Sequence, residues 1–258
     1  MKNIKVIIAT HKKYQMPSDS IYLPVQVGAE GKNDLGYQKD NENDNISLKN
    51  PNFCELTGLY WAWKNLKVDY IGLAHYRRHF SLKKKNKNVF KNVLTLEEAD
   101  KILDNVDIIT PKKRRYYIEN LYNHYKHSLY IEPLDITGNI IKEKYPEYYG
   151  QFLRLKKRRS AHMFNMFIMK KDKLDEYCTW LFDILFTLES KINLKDYDSF
   201  HSRLYGRISE LLFDVWLNVK GYSYKEVKVI SIEKVNWFKK GTGFLKAKFF
   251  GKKYEKSI

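Results

Sequence analysis

The sequence is poor in the residues that would mark a disulfide-rich, metal-binding or membrane-spanning protein. Its 258 residues include two cysteines, Cys54 and Cys178, and each lies in an apolar pattern typical of a helix. We therefore expect reduced thiols with no metal-ligand neighbours in the sequence. No apolar run approaches the roughly 18 residues that cross a bilayer, and no signal peptide precedes the first predicted strand. These shortages together predict a cytoplasmic protein.

Acidic residues are also in short supply. The chain has 47 Lys and Arg against 30 Asp and Glu, which gives a formal net charge of +17. The cations cluster at residues 83–85, 112–115 and 156–159. Such an excess favours polyanionic partners. Nucleic acid is one candidate, but the sequence has no helix-turn-helix, no zinc-ligand spacing and no aromatic RNA-recognition signature, so we predict no nucleic acid partner.

Hydrophobic residues are plentiful by contrast. They make up 43% of the chain, and 15% of all residues are aromatic, so the chain can bury a large core. Strand-like and helix-like patterns alternate, which predicts an α/β fold. Strands are predicted at residues 5–10, 70–74, 106–109 and 162–169, and helices at residues 55–66, from Thr95, at 174–189 and at 204–219 with Gly221 as C-cap.

Four polar side chains follow the buried strand at residues 70–74. They are His75, Tyr76, Arg77 and Arg78. Ligands of open α/β sheets bind where the strands end, and the guanidinium fork matches phosphate oxygens. No acidic pair stands here to hold a metal ion, so the two arginines would neutralise phosphate directly. The alternative is an exposed loop whose arginines are solvated or pair with a carboxylate.

Two further segments carry candidate polar residues. Arg203 and Arg207 lie in the first turn of the last predicted helix, where a helix N-terminus with arginines favours anions, and Glu210 follows them. His162 and Asn165 interrupt an apolar run. A buried polar side chain needs partners, so these two residues either bind a ligand or satisfy neighbouring backbone groups. Glu210 could equally face solvent.

Three segments lie outside the predicted sheet and helices that form the core. The polar loop at residues 29–50 is long enough to serve a site. Residues 116–160 are rich in tyrosine and predict a helical lid or acceptor-binding insertion within a domain of residues 1–233. Residues 234–258 carry eight lysines against one glutamate, interleaved with aromatic residues. This basic aromatic tail suits an anionic membrane surface, and the alternative is a C-terminal helix packed on the domain.

Successive blocks of the sequence resemble one known family. They are DNIS at 44–47, NP at 50–51 with CELTGLYW at 54–61, YIGL at 70–73 with HYRR at 75–78, HMFNMF at 162–167, and RLYGRISE at 203–210. These blocks are similar to those of a bacterial glycosyltransferase family formerly labelled domain of unknown function 4422, found in capsule, exopolysaccharide and lipopolysaccharide loci. The resemblance spans about residues 3–230 with the blocks in order.

The resemblance implies a GT-A-like nucleotide-diphospho-sugar transferase fold with a central, mostly parallel sheet flanked by helices. It implies transfer of a sugar, galactose in pyranose or furanose form in several relatives, from a UDP-sugar to a lipid-linked or oligosaccharide acceptor. The aspartate pair usual for that fold is replaced by residues 75–77, so we predict no metal cofactor. The expected location is the inner face of the plasma membrane, reached through the basic tail.

The charges that such a reaction develops suggest roles for individual residues. Arg77 and Arg78, joined by Arg203 or Arg207, would stabilise the departing diphosphate. Glu210 would be the base for the acceptor hydroxyl, with Asp107 or Glu55 in reserve. His162 and Asn165 would face the donor sugar or the acceptor. The predicted donor-binding residues are Thr10, Gln26, Asp44, Asn45, Glu55, His75, Tyr76, Arg203 and Arg207.

Two other interpretations of the sequence remain open. A non-catalytic membrane-surface or polysaccharide-binding protein would explain the tail and the aromatic residues, but it would leave the polar residues at the strand ends without a task. A nucleic-acid-binding protein would explain the charge and nothing else. Binding of UDP or slow release of nucleotide from a nucleotide sugar would separate both from a transferase.

Overall fold

The computed structural model describes residues 1–82 and 88–233. Its strands are β1 (Ile4–Thr10), β2 (Tyr22–Gln26), β3 (Gln38–Lys39), β4 (Tyr70–His75), β5 (Arg78–Ser81), β6 (Ile108–Pro111), β7 (Arg114–Arg115), β8 (Ser160–Ala161), β9 (Phe167–Lys170) and β10 (Tyr224–Ser231). Its α-helices are α1 (Asn50–Phe53), α2 (Leu56–Asn65), α3 (Leu96–Leu103), α4 (Leu121–Ser128), α5 (Glu132–Lys144), α6 (Pro146–Lys157), α7 (Lys171–Glu189) and α8 (Leu204–Lys220).

The N-terminal part of the sheet is parallel. β1 lies between β2 and β4, and β3 extends this region beyond β2. Nearly every residue of β1 is buried, because a hydrophobic core covers each face of this part of the sheet. Thr10 pairs with Gln26 and Ala9 pairs with His75, so β1, β2 and β4 end at the same edge of the sheet.

The rest of the sheet is not parallel. β4, β5, β10, β6 and β9 form a closed ring, because β9 pairs with both β6 and β4. β5 is antiparallel to β4 and to β10, and β9 is antiparallel to both of its neighbours. The prediction of a mostly parallel sheet is therefore corrected to a mixed α/β sheet. The two residues between β4 and β5 form a connection too short for anything but an antiparallel pair.

Gly72 is where the ring closes against the parallel region. A Cβ atom at this position would lie 2.8 Å from Ile168 Cγ1, 2.9 Å from the carbonyl oxygen of Phe167 and 3.0 Å from Val6 Cγ2. Real Cβ atoms do not approach backbone oxygen that closely, so β4 can contact β9 and β1 at this point because it carries no side chain there.

The helices bury their apolar faces as their sequence patterns predict. α2, α7 and α8 pack in one large core on one side of the sheet, and α3 belongs to a second core on the other side. The Thr95 side chain accepts from the backbone of Glu98 in a capping box, and Gly221 ends α8 with φ of 67°. Residues 116–160 are largely helical, as expected, through α4, α5 and α6.

The structure corrects one predicted strand and the predicted position of one cysteine. The strand predicted at residues 162–169 begins at Phe167, because Phe164 and Asn165 turn the chain with φ of 79° and 52°. Cys54 lies between α1 and α2 rather than inside a helix, with φ of 55°. Both cysteines are free, and Cys178 is fully buried. None of the described helices is long and apolar enough to cross a membrane. The predicted membrane tail, residues 234–258, lies outside the described residues, as does the lysine run at 83–85.

Candidate functional site

Aromatic side chains line the edge where β1 and β4 end. Because Ala9 pairs with His75, the chain leaves both strands at the same height, and the N–H of Tyr76 donates to the carbonyl of Ala9 over 3.3 Å. The Tyr76 side chain is 2% exposed, and its ring centroid lies 4.4 Å from that of His75 and 5.4 Å from that of His11. This packing fixes the backbone from which the next two residues project.

Arg77 and Arg78 diverge from the short turn between β4 and β5. The Arg77 guanidinium lies over the Tyr76 ring, 5.3 Å from its centroid, and its Nη1 lies 3.3 Å from Glu233 Oε2. The Arg78 guanidinium lies 4.4 Å from the centroid of Phe164. Arg77 is therefore an ion-paired arginine, whereas Arg78 is held by an aromatic face that leaves its N–H donors available.

Asn165 connects three parts of the chain at this edge. Its Nδ2 donates to Glu55 Oε1 over 2.8 Å and to the carbonyl of Gly206 over 2.9 Å. Its Oδ1 accepts from the hydroxyl of Ser209 over 2.9 Å. The left-handed backbone at Asn165 turns the amide toward α8, and the side chain is 5% exposed. Asn165 therefore orients the Glu55 carboxylate and has its own amide occupied by the protein.

Glu210 lies on the second turn of α8, facing Glu55. Burial, followed by the negative charge of Glu55, raises the pKa of Glu210 to about 7. Arg78, Arg114 and Arg207 act in the opposite direction. The two carboxylates thus differ in their environment: an amide donor holds Glu55, while Glu210 sits among cations at a pKa suited to proton transfer near neutral pH.

Three arginines around these carboxylates have no ion-pair partner among the described residues. No carboxylate oxygen there lies within 4.0 Å of a guanidinium nitrogen of Arg78, Arg203 or Arg207. Arg203 Nε donates to Cys54 Sγ over 3.2 Å, and the Arg207 guanidinium stacks 4.0 Å from the centroid of Phe200. Arg78 and Arg207 are half-buried and Arg203 is exposed, so this edge carries unpaired positive charge of the kind that attracts anions.

His75 is neutral in this setting. Burial, followed by the nearby charges of Arg78 and Arg77, lowers its pKa to about 3. Its Nδ1 accepts from the N–H of Arg77 over 3.3 Å, which leaves the proton on Nε2. An imidazole with so low a pKa is a poor proton acceptor at neutral pH, so Glu210 is the better base of the two.

Residues 5–221 match the family described as Domain of unknown function (DUF4422). The chain belongs to this family. The matched range includes every strand and helix described above except β10 and the first residue of β1, and the resemblance noted in the sequence is confirmed at this level. No curated protein matches the chain.

A solved structure extends the family match. It is the apo structure of WbbM, described as a bifunctional glycosyltransferase, at 30% sequence identity with a TM-score of 0.84. The alignment covers 90% of this chain and 46% of the WbbM chain, so this family member spans about half the length of that protein. The mixed α/β fold is thus shared with a part of a glycosyltransferase.

Two of the predicted donor-binding residues, Thr10 and Gln26, form side-chain hydrogen bonds to backbone groups of the protein itself. Gln26 Nε2 donates to the carbonyl of Asn33 over 2.8 Å, and Gln26 Oε1 accepts from the N–H of Leu35 over 2.9 Å. The Thr10 hydroxyl donates to the carbonyl of Lys12 over 2.7 Å. Both residues lie at the expected edge of the sheet, where they shape the loops and have their hydrogen-bonding capacity largely used.

Asp40 is a residue that the sequence did not single out. It is fully buried and accepts from the N–H groups of Gly28 and Ala29 over 2.8 and 3.0 Å, and from the hydroxyls of Ser47 and Thr57 over 2.5 and 2.6 Å. Four donors satisfy this carboxylate, which ties the long loop to α2. The available signal was Thr57, a hydroxyl on an otherwise apolar helix face.

Asp44 and Asn45 lie away from the cluster. The carbonyl of Asp44 accepts from Asn65 Nδ2 over 2.8 Å, at the C-terminal end of α2, and Asn45 Oδ1 accepts from the N–H of Ser47 over 3.1 Å. α2 has 10 residues and so is roughly 15 Å long, and Glu55 directly precedes its other end. The structure therefore does not bring these two predicted donor-binding residues to the cluster of arginines around Glu210.

His162 is held between two carboxylates. Its Nδ1 lies 2.5 Å from Asp214 Oδ1 and its Nε2 lies 3.1 Å from Glu226 Oε1. Its own N–H donates to Asp214 Oδ2 over 2.9 Å. Both ring nitrogens are occupied and the side chain is 1% exposed, so the structure gives His162 a supporting place in the core rather than one that faces a sugar.

Asp107, the reserve base, also lies elsewhere. It precedes β6, at the opposite end of that strand from Pro111, and its Oδ2 accepts from the hydroxyl of Ser223 over 2.7 Å. Within residues 1–82 and 88–233, no group of three or more His, Cys, Asp or Glu side chains is arranged to hold a metal ion. Independence from a metal cofactor stays a prediction.

Proposed function

We propose that the chain is a glycosyltransferase that uses a nucleotide-diphospho-sugar donor. The family membership and the fold shared with WbbM support transfer of a sugar, and the unpaired arginines support a diphosphate-bearing donor. A GT-A-like arrangement would place the donor at the edge where β1 and β4 end, since ligands of α/β sheets bind outside the carboxyl ends of the strands.

One observation carries this proposal more than any other. Glu210, with its pKa raised to about 7, lies beside Glu55 and faces arginines that have no carboxylate partner among the described residues. A surface that merely bound polysaccharide would need neither a carboxylate tuned to neutral pH nor a concentration of arginines without carboxylate partners. Strongly perturbed groups that converge on one edge are typical of catalytic sites.

The reaction follows from these charges. As the bond between the anomeric carbon and the diphosphate oxygen breaks, its electron pair stays on the departing diphosphate. Arg78, Arg203 and Arg207 would stabilise this growing negative charge more in the transition state than in the ground state. The acceptor hydroxyl oxygen forms the new bond to the anomeric carbon, and its proton passes to Glu210. Arg77 would act at longer range, since Glu233 already neutralises it in part.

The proposal extends to the class of donor and acceptor. We assign the donor to the UDP-sugar class, with galactose in pyranose or furanose form, and the acceptor to lipid-linked or other saccharides of capsule, exopolysaccharide or lipopolysaccharide synthesis. A protein working on such an acceptor would gather at the inner face of the plasma membrane. The +7 charge of residues 234–258 is consistent with that location.

A donor screen tests the proposal. The purified chain is incubated with UDP-, GDP- and TDP-sugars, and free nucleotide is measured together with the melting temperature in the presence of UDP. We expect slow release of UDP from a UDP-hexose and a higher melting temperature with UDP. Glu210→Gln serves as the matched control, which should keep the stabilisation by UDP and lose the release. Absence of both effects for every nucleotide tested would contradict the proposed function.

A further inference from the structure

A second cationic region lies beside the candidate site and faces outward. We name it the basic loop surface, and it consists of residues 112–118 and 157–159. β7 and β8 join its two segments, with Arg114 paired to Ala161 and Arg115 paired to Ser160. The N–H of Tyr116 donates to the carbonyl of Arg159 over 2.7 Å, so the two segments form one continuous surface.

The charge of this surface has one sign. Its ten residues include seven Lys and Arg and no Asp or Glu. The next acidic residue along the chain, Glu119, is 6% exposed and lies 3.0 Å from His127 Nδ1, so its carboxylate points into the protein. Arg115 and Arg159 are exposed. A cation cluster of this size without acidic residues attracts a polyanion.

The tip of the basic loop surface is apolar. Tyr117 is 81% exposed and Ile118 is 55% exposed, although large hydrophobic side chains are usually covered. Arg159 Nη1 donates to the carbonyl of Tyr117 over 3.3 Å, which keeps the tip next to the cations. An exposed aromatic and an exposed β-branched residue framed by arginines form the pattern of side chains that enter the interface of a bilayer.

Membrane and nucleic acid are the two polyanions that could occupy this surface, and Ile118 favours the membrane. Nucleic-acid surfaces stack bases on aromatic rings or arginine planes, and an exposed isoleucine offers no such face. In a bilayer interface the same side chain gains from burial of apolar area. The surface also adjoins the candidate site, because Arg114 is close enough to Glu210 to lower its pKa.

We propose that the basic loop surface docks the protein on an anionic lipid bilayer. Its arginines and lysines lie against the headgroup phosphates, and Tyr117 and Ile118 enter the interfacial region. The site edge then opens beside the membrane. This docking is independent of the proposed sugar transfer, and it is distinct from any contact made by residues 234–258.

Vesicle sedimentation of the full chain tests the docking. Vesicles of phosphatidylcholine are compared with vesicles that also contain phosphatidylglycerol, and no substrate is present. The double variant Arg115→Gln and Arg159→Gln should bind the anionic vesicles about thirtyfold more weakly, because each cation near such a surface contributes about 1 kcal/mol. Tyr117→Ser with Ile118→Ser should weaken binding about tenfold through lost apolar burial.

Matched variants elsewhere on the protein serve as controls. Lys91→Gln with Lys191→Gln removes two exposed cations outside the surface, and Leu48→Ser removes a side chain that is 78% exposed. Both controls should bind as the unaltered protein does, and all variants should share its melting temperature and its release of nucleotide from the donor. A failure of the sugar-transfer proposal would appear in the nucleotide assay and leave vesicle binding unaffected.

Three results would overturn the docking proposal. The first is equal binding to both kinds of vesicle by the unaltered protein. The second is unchanged vesicle binding by both surface variants, which would leave residues 234–258 or general charge as the cause. The third is a loss of binding to a single-stranded RNA oligonucleotide by the arginine variant while vesicle binding persists, which would identify nucleic acid as the partner.

Discussion

Two clusters of charged residues lie along α8. They differ in whether their charged side chains have ion-pair partners. Around Asp214 each charged or titratable group has a partner: His162 lies between Asp214 and Glu226 at 2.5 and 3.1 Å. Around Glu210, one turn earlier, the arginines have no ion-pair partner in the described chain and the carboxylate has a pKa of about 7. Complete pairing is what a folded core requires, whereas uncompensated charge costs stability and is retained where a ligand supplies the missing partner.

Replacing Glu210, the proposed base in the cluster with unpaired arginines, gives the largest expected effect on turnover. Glu210→Gln should lower kcat about thousandfold, in line with the contribution of a general base. The unaltered enzyme needs the deprotonated carboxylate, so its kcat/KM should rise as pH increases through about 7. The pH profile measured under substrate-limited conditions checks this. Activity of Glu210→Gln with the same ascending limb would place the titrating group elsewhere.

The same carboxyl group should give a pH-dependent stability. Its folded-state pKa of about 7 exceeds the ordinary value of 4.5, so the native state binds the extra proton between these limits. Glu210 therefore lowers stability as pH rises from about 4.5 to 7, by up to about 3 kcal/mol. Urea unfolding of Glu210→Gln against the unaltered protein should show the variant gaining relative stability across that window. A constant difference from pH 4 to 8 would contradict the raised pKa.

Arg78 is the next most sensitive position. Arg78→Ala should lower turnover about a hundredfold, since one transition-state charge partner is worth that much. Arg78→Lys should recover part of this loss, because an ammonium keeps the charge and lacks the guanidinium fork. Arg77→Ala should cost less, given its ion pair with Glu233. Arg154→Ala, at an exposed arginine on α6, is the control. Turnover of Arg78→Ala at the unaltered rate would remove Arg78 from the site.

A substitution in the cluster around Asp214 should lower the stability of the fold and leave catalysis largely unchanged. Asp214→Asn weakens the charge-assisted contacts to His162, and we expect a loss of about 2 kcal/mol in the free energy of unfolding. The folded variant should keep most of its nucleotide release and its response to UDP. Denaturant titration and donor hydrolysis of the same preparation check both halves of this statement. A large loss of turnover with unchanged stability would move this cluster into the catalytic machinery.

The sequence predicted a feature well when the residues that determine it are close together along the chain. Local signals were sufficient for the helix that begins after Thr95 and the one that Gly221 ends, because capping depends on neighbouring residues. His162 and Asn165 look alike in sequence, as polar interruptions of an apolar run. Their partners at Asp214 and Glu55 are 52 and 110 residues away, so a ligand role and a supporting role could not be separated.

The sequence did not predict the closed ring of strands, because the strands that close it are far apart along the chain. Pairing of β4 with β9 brings together segments about a hundred residues apart, and the hydrophobic pattern of each strand is the same in a parallel or antiparallel neighbour. Gly72, a glycine in the middle of a buried strand, was the local sign of a close crossing. Site residues at strand ends were easier to predict, because the carboxyl ends of parallel strands share one edge.

The smallest expected effect concerns divalent metal. In the proposed reaction the departing diphosphate meets Arg78, Arg203 and Arg207, which are always protonated and need no cation to balance the charge. We therefore expect donor hydrolysis to change less than about twofold in excess EDTA, against the loss of several kcal/mol of stabilisation expected where a metal supplies the charge. Turnover is measured with EDTA, and again after manganese or magnesium is added in excess. Loss of activity in EDTA with recovery on manganese would show that the arginines do not suffice. It would then direct the search to carboxylates such as Glu55 that could share the ion with the donor phosphates.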